Sequence, residues 1–410
     1  MPFTDRAPSK NLLIQQCRGS AIAAVLLMHF SLFTQFLALL PVNVTNTGYL
    51  GVDLFFVISG FVVTRSLRNG GWSPLRFAIR RAFRLYPAML LFLGLCALVW
   101  ISTIVYPAGA LPRQLFGASH VTFLTQGLAV LTGTLTLIGG DPIYVNGAMW
   151  SLTIEFQFYM AIALLMFVSR TCGGGGRACE NALLWLMIGV AGYYASVRLA
   201  LVAGMHPPWP AGLLWKRFDF LAAGTLLALA PEKWLLRITF GHPTRVFACA
   251  VCIPFLSLMA FRHPYPPVQP HSRDWLEIIG YPICLLGFTW AIAAAATIED
   301  SRIGSSWAGR AMLWLGDRSY SLYLVHFPIF ALLWMCFYEI DLSLVSNPWI
   351  YSPMQFAVGL ALTLWVADFC FRWIEKPGIR LGARLFGAPG SLPPSPATTG
   401  DSVTAWRERS

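Results

Sequence analysis

Apolar runs of about twenty residues recur along this chain, near 12–40, 48–66, 85–106, 147–169, 181–203, 212–230, 244–261, 275–297, 312–337 and 353–374. At 1.5 Å per residue, about twenty residues cross the ~30 Å hydrocarbon core of a bilayer. Inside hydrocarbon every backbone polar group has to be satisfied within the segment, so each run predicts a transmembrane helix. The composition agrees: with 57% hydrophobic and 11% charged residues, there is too little polar surface to enclose a water-soluble core. The expected fold is all-α, a polytopic transmembrane helix bundle of about ten spans.

Charge supplies the orientation. A further stretch, 119–139, is weakly apolar and rich in Thr and Gly. If it does not cross, and the N-terminus with Arg6 and Lys10 is cytoplasmic, the positive-inside rule is obeyed along the chain. The loop carrying Arg65, Arg68, Arg76, Arg80, Arg81 and Arg84 then falls inside. So do Arg170 with Arg177, Lys233 with Arg237 and Arg245, Arg302 with Arg310, and Lys376 with Arg380 and Arg384. Arg113, Lys216, Arg217, Arg262 and Arg273 fall outside. Both termini are therefore expected in the cytoplasm. The net charge of +11 is read as topology, and no nucleic-acid partner is expected.

Residues 1–11 form a cytoplasmic N-terminal segment, 12–387 the transmembrane domain, and 388–410 a Pro- and Ser-rich cytoplasmic tail expected to be disordered. No cleavable signal peptide is expected, because the first apolar run follows a polar segment and contains Arg18 and His29. The Pro-rich loop from Arg262 to His271 lies outside, either at an acceptor entrance or as a plain connection. Cys249 and Cys252 lie in an apolar run without a second pair, so neither a metal nor a redox site is expected.

Five stretches place polar groups where hydrocarbon makes them costly. In the first run Arg18 and His29 are eleven residues apart, about 20° beyond three full turns. They share a helix face roughly 16 Å apart along the axis, which sets His29 near mid-bilayer. An imidazole at that depth marks either a functional site or a hydrogen bond that packs two helices. Gly51-Val52-Asp53-Leu54-Phe55-Phe56 opens the second run. Its Asp53 calls for His29 or an outer basic residue as partner, or sits at a helix N-terminus favoured by the dipole.

Arg80, Arg81 and Arg84, followed by Tyr86-Pro87, group forked donors on a helix. They suit a polyanionic phosphate, or serve topology alone. Trp150-Ser151-Leu152-Thr153-Ile154-Glu155 puts Ser151 and Glu155 on one face. Glu155 needs an Arg, a His or a substrate, or makes a structural ion pair. Last, Ser319-Tyr320-Ser321-Leu322-Tyr323-Leu324-Val325-His326 aligns Ser319, Tyr323 and His326. Such a stripe lines a cavity or joins helices.

In this order the five stretches resemble the integral-membrane acyltransferase family three, which includes bacterial O-antigen and Nod-factor acetylases and macrolide acyltransferases. The resemblance runs from about residue 12 to 380. It implies an acyl group, usually acetyl, passing from cytoplasmic acyl-CoA to a hydroxyl of a cell-surface glycan or related acceptor. It also implies His29 as catalytic residue, Arg18 as its companion, and Arg80 to Arg84 on the CoA phosphates. Some members carry an extra extracytoplasmic domain that finishes the transfer. This chain is expected to lack one, acting alone or with a separate protein.

Acyl transfer needs a base of near-neutral pKa and donors for the thioester oxyanion. Imidazole supplies the first, as base or as acyl carrier. Arg18, Ser151 or Tyr320 supplies the second. The candidate set is His29, Arg18, Glu155 and Asp53 for catalysis, and Arg80, Arg81, Arg84 and Tyr86 for acyl-CoA. Ser151, Ser319, Tyr320, Tyr323 and His326 are assigned to substrate or oxyanion, and no metal is expected. The expected partners are acetyl-CoA, a glycan or glycolipid and the lipid bilayer, with a homo-oligomer left open. The expected site is a bacterial inner membrane. A transporter or flippase for a lipid-linked glycan is the rival, disfavoured by the lack of internal repeats.

Overall fold

A computed structural model describes residues 11–33, 48–105, 128–129, 131–132, 149–205, 217–261, 275–298, 305–339 and 348–385. Residues 1–10, most of 119–139, the loop from Arg262 to His271 and the tail from 388 lie outside the described residues. Among the described residues every regular element is a helix. In chain order these are α1 (Leu12–Phe33), α2 (Tyr49–Gly70), α3 (Pro74–Val105), α4 (Met149–Thr171), α5 (Gly176–Val202), α6 (Phe218–Leu229), α7 (Glu232–Ile238) and α8 (Pro243–Phe261). A π-helical turn, Leu276–Gly280, leads into α9 (Tyr281–Thr297). Then come α10 (Trp307–Asp317), α11 (Ser319–Glu339), α12 (Pro348–Cys370), a second π turn (Phe371–Glu375) and α13 (Lys376–Leu385).

Seven helices among the described residues are long and apolar enough to cross a membrane, or eight when α7 and α8, bent by 70°, count as one broken span. The protein is thus a multi-pass membrane protein. Two boundaries differ from the sequence expectation. The run at 312–337 is divided between α10 and α11 at Arg318, whose guanidinium is drawn to Asp368 of α12 at 2.6 Å and stacks 4.1 Å from the Trp314 ring. The arginines expected on a loop are helical. Arg65 and Arg68 end α2, and α3 begins at Pro74, a residue suited to a first helical turn. At 32 residues, α3 is about 48 Å long, so its arginine-bearing start projects beyond a ~30 Å core.

Contacts among helix ends give the topology. Arg170, closing α4, donates to Gly71 O after α2 at 2.8 Å. Arg68 donates to Ala228 O near the end of α6 at 2.9 Å and pairs with Glu180 at the start of α5 at 3.3 Å. At the same end of the bundle α13 lies along the beginning of α3, with Gly378 and Gly382 against Phe83. The basic residues of α2, α3, α4 and α13 therefore collect at one end. α3 leaves this end and α4 returns to it, Phe156 facing Tyr86 and Tyr159 facing Phe77. Residues 105 and 149 consequently lie towards the opposite end.

The seams are built on small residues. Gly60 of α2 faces Leu221 O and Gly224 of α6 faces Val57 O so closely that a Cβ on either would overlap backbone. Removing the side chain lets the helices approach, since dispersion replaces the hydrophobic effect inside lipid. Asp53 is buried in the same region and paired with Arg217, the residue before α6, whose guanidinium lies 3.4 Å from the Tyr281 ring centroid. A second pair, Arg198 with Asp219 at 2.5 Å, ties α5 to α6. Asp53 thus pairs with a basic residue and not with His29.

Candidate active site

α1 and α11 run parallel and are bridged by two polar rungs. At the first, Arg18 Nη2 donates to Ser319 Oγ at 3.2 Å. At the second, His29 Nδ1 and His326 Nε2 are 3.3 Å apart, with ring centroids 4.9 Å apart. His29 is 8% exposed and His326 fully buried. The shared face expected of Arg18 and His29 is realised, because both turn towards α11. Gly48, at the head of α2, packs against Met28, so His29 is level with the head of α2. α1 and α2 are antiparallel, which carries the eleventh residue after Arg18 past the middle of α2.

A partly open cavity of about 80 Å³ adjoins the Arg18 rung. Its charged lining is Arg18 from α1, Arg81 and Arg84 from α3, and Glu155 from α4. The polar lining adds Ser59, Ser151, Tyr159, Ser319, Tyr320 and Tyr323. Three cations against one carboxylate leave the wall electropositive. Glu155 accepts from both Ser59 Oγ and Tyr159 OH, so its charge is held by two hydroxyls from two helices. Arg81 lies 5.1 Å from the Tyr159 ring centroid and 5.5 Å from that of Phe77, packing that fixes the approach of its guanidinium.

The remaining candidates divide around this cavity. Ser151 and Tyr323 hydrogen-bond to one another at 2.5 Å. Tyr323 then stands between cavity and histidine pair, its ring centroid 5.7 Å from that of His326. Tyr320 donates to Leu85 O at 2.8 Å. Arg80 is absent from the cavity lining; Tyr86 is absent too, its hydroxyl donating to Leu131 O at 2.9 Å and its ring resting against Phe156. Asp53 belongs to the α2–α6 clamp, and neither it nor His29 lines the cavity. Among the described residues no group of three His, Cys, Asp or Glu side chains is placed to hold a metal.

Three participants escaped sequence reasoning. Ser59 lies in the Gly51–Gly60 stretch and Tyr159 four residues after Glu155, a spacing that stacks side chains on one helix face. Glu375 is 2% exposed and accepts from Ser321 Oγ at 2.7 Å. Its signal was a carboxylate immediately after the last apolar run.

The sequence from 12 to 372 matches the family described as Acyltransferase domain. The chain belongs to that family. Among its relatives, the acyltransferase-domain chain is 26% identical to the peptidoglycan O-acetyltransferase OatA of Listeria monocytogenes over 89% of itself and 55% of that protein. It is 24% identical to the O-acetyltransferase OatA of Staphylococcus aureus over 83% of itself and 54% of that protein. BcsY of Komagataeibacter xylinus, which carries the name of a membrane-bound transacylase, is 25% identical over 89% of this chain and 82% of its own. The acyltransferase-domain chain thus spans about half the length of the two OatA proteins. No solved structure matches it.

Proposed function

We propose that this protein is a membrane O-acyltransferase that takes an acyl group, acetyl in the simplest case, from cytoplasmic acyl-CoA. It delivers that group to a hydroxyl of a cell-surface glycan, of which peptidoglycan is the class suggested by the relatives' names. The observation that carries this reading is the convergence of Arg18, Arg81 and Arg84 on one cavity beside a buried histidine pair. Polyanionic phosphates are recognised by such forked cations, and an imidazole is suited to act on a thioester and an alcohol. The basic end of the bundle is the cytoplasmic end in this reading. The histidine rung, farther from the basic end than the Arg18 rung, suits transfer to an acceptor arriving from outside.

Each side chain then has a task. Arg81 and Arg84 meet the anionic donor, while Arg80, outside the cavity lining, adds to the local field. Arg18, steadied by Ser319, and the Ser151–Tyr323 pair offer donors for the oxyanion that develops at the thioester carbonyl. Glu155 keeps the arginines from repelling one another when no ligand is bound. His29 acts as general base or acyl carrier. Asp53 is structural, and Tyr86 anchors α3 to the 131 region. The site is a bacterial cytoplasmic membrane.

The test uses purified full-length protein in lipid nanodiscs with acetyl-CoA and soluble peptidoglycan fragments, following free thiol and acetylated product. His29→Ala should bind acetyl-CoA normally and lose about 10²–10⁴-fold in rate, the usual contribution of a general base, or more if it carries the acyl group. Near-normal turnover in a well-folded His29→Ala protein would falsify the assignment.

A further inference from the structure

His326 is a buried titratable group to which the proposed reaction gives no task. It does not line the cavity, and it is fully enclosed within α11. Its two ring nitrogens are nevertheless committed. Nδ1 lies 3.1 Å from Leu322 O, and Nε2 lies 3.3 Å from His29 Nδ1. His29 Nδ1 also lies 3.1 Å from Val25 O.

A carbonyl oxygen can only accept, so in the neutral pair each Nδ1 carries the proton it directs at its own helix carbonyl. His326 Nε2 then has no proton and accepts from His29 Nδ1–H, which is shared with Val25 O. The remaining nitrogen, His29 Nε2, is left with its lone pair. In an imidazole the partner of one nitrogen decides which nitrogen is basic, and here that partner is a second imidazole held by its own backbone. No other neutral arrangement of the two rings avoids setting a lone pair against a carbonyl.

We propose that His326 is the positioning residue of this site: it accepts from His29 Nδ1–H and so holds His29 in the tautomer whose Nε2 is free to act in acyl transfer. The inference rests on the acyltransferase reading above, but its central claim is the tautomer. Packing supports it. The His29 ring is edged by Phe327 at 6.0 Å and the His326 ring by Phe330 at 6.4 Å, rings that themselves offer neither donor nor acceptor to the pair. Val25 O alone also favours Nδ1–H, yet a helix carbonyl already engaged by the backbone is the weaker acceptor.

The experiment labels the full chain with ¹⁵N-histidine and reads the protonation of both His29 nitrogens by solid-state NMR in lipid, assigning the signals by difference against His29→Gln. Wild type should show Nδ1–H with an unprotonated Nε2. His326→Leu, which cannot accept, should give a mixture of tautomers and lower kcat about 100-fold, with acetyl-CoA affinity unchanged. His326→Gln, whose amide oxygen restores the acceptor, should recover to within about tenfold of wild type. An Nε2–H tautomer at His29 in the wild type overturns the proposal, and that measurement stands even if His326→Leu fails to fold. So does an unaltered tautomer in His326→Leu, or equal losses in the Leu and Gln variants, which would indicate packing alone. Activity in His29→Ala would instead sink the underlying catalytic reading and leave the tautomer result intact.

Discussion

Arg217, immediately before α6, and Asp53, in the first turns of α2, form an ion pair, their side chains 13% and 2% exposed. Removing one member of a buried pair strands the other charge, at a typical cost of about 3–5 kcal/mol. Asp53→Ala should therefore lower thermal stability sharply in detergent. The double variant Asp53→Ala, Arg217→Ala should lose less than the sum of the singles. Turnover per folded molecule should survive in both, and a folded Asp53→Asn with no turnover would return Asp53 to the chemistry.

Gly224 and Gly60 make the backbone contacts of the α2–α6 seam. Overpacking costs about 1–3 kcal/mol where neighbours can yield, and here the neighbours are carbonyls. Gly224→Val should abolish accumulation of folded protein in the membrane. Gly189→Ala, on a glycine of α5 with open space around it, should be silent. Fluorescence-detected gel filtration compares the two.

Donor binding should separate neighbouring arginines. Each charge-assisted contact contributes about 1.5–3 kcal/mol, so Arg84→Ala or Arg81→Ala should weaken acetyl-CoA binding roughly 10- to 150-fold. Arg80→Ala, removing a residue outside the cavity lining, should weaken it less. Calorimetry on the three purified variants decides this, and equal losses would show that the cavity wall does not select the contacts.

Tyr159 and Ser59 both donate to Glu155, so Tyr159→Phe should loosen the carboxylate and free it to pair with Arg81. The expected outcome is a lower donor affinity with kcat changed little, measured as a split between the apparent KM for acetyl-CoA and kcat. A fall in kcat at unchanged KM would place Tyr159 in the chemical step.

Cys172, exposed between α4 and α5, sits at the basic end of the bundle, and Gly204, after α5, at the other. In a variant whose other eight of nine cysteines are replaced, Cys172 should resist an impermeant thiol reagent in intact cells and react after lysis. With Gly204→Cys as the single cysteine, intact cells should be labelled. The reverse pattern would invert the topology.

Hydropathy and the five polar-bearing stretches were legible in the sequence, because hydrocarbon imposes a local rule: about twenty apolar residues, helical, with every polar exception requiring a reason. That rule located Arg18, His29, Glu155 and the α11 stripe, since a helix face follows from residue spacing alone. What spacing cannot supply is the register between helices distant in sequence. Arg217 reaches Asp53 across 164 residues and His326 reaches His29 across 297. Only the packed bundle decided that Arg81 and Arg84, and not Arg80, turn into the cavity, and that His29 meets His326. The contact made at the break was equally hidden, because Arg318 pairs there with Asp368 on another helix. In a bundle the local sequence determines which side chains share a stripe, while close-packed seams such as Gly60 against α6 determine which stripes meet.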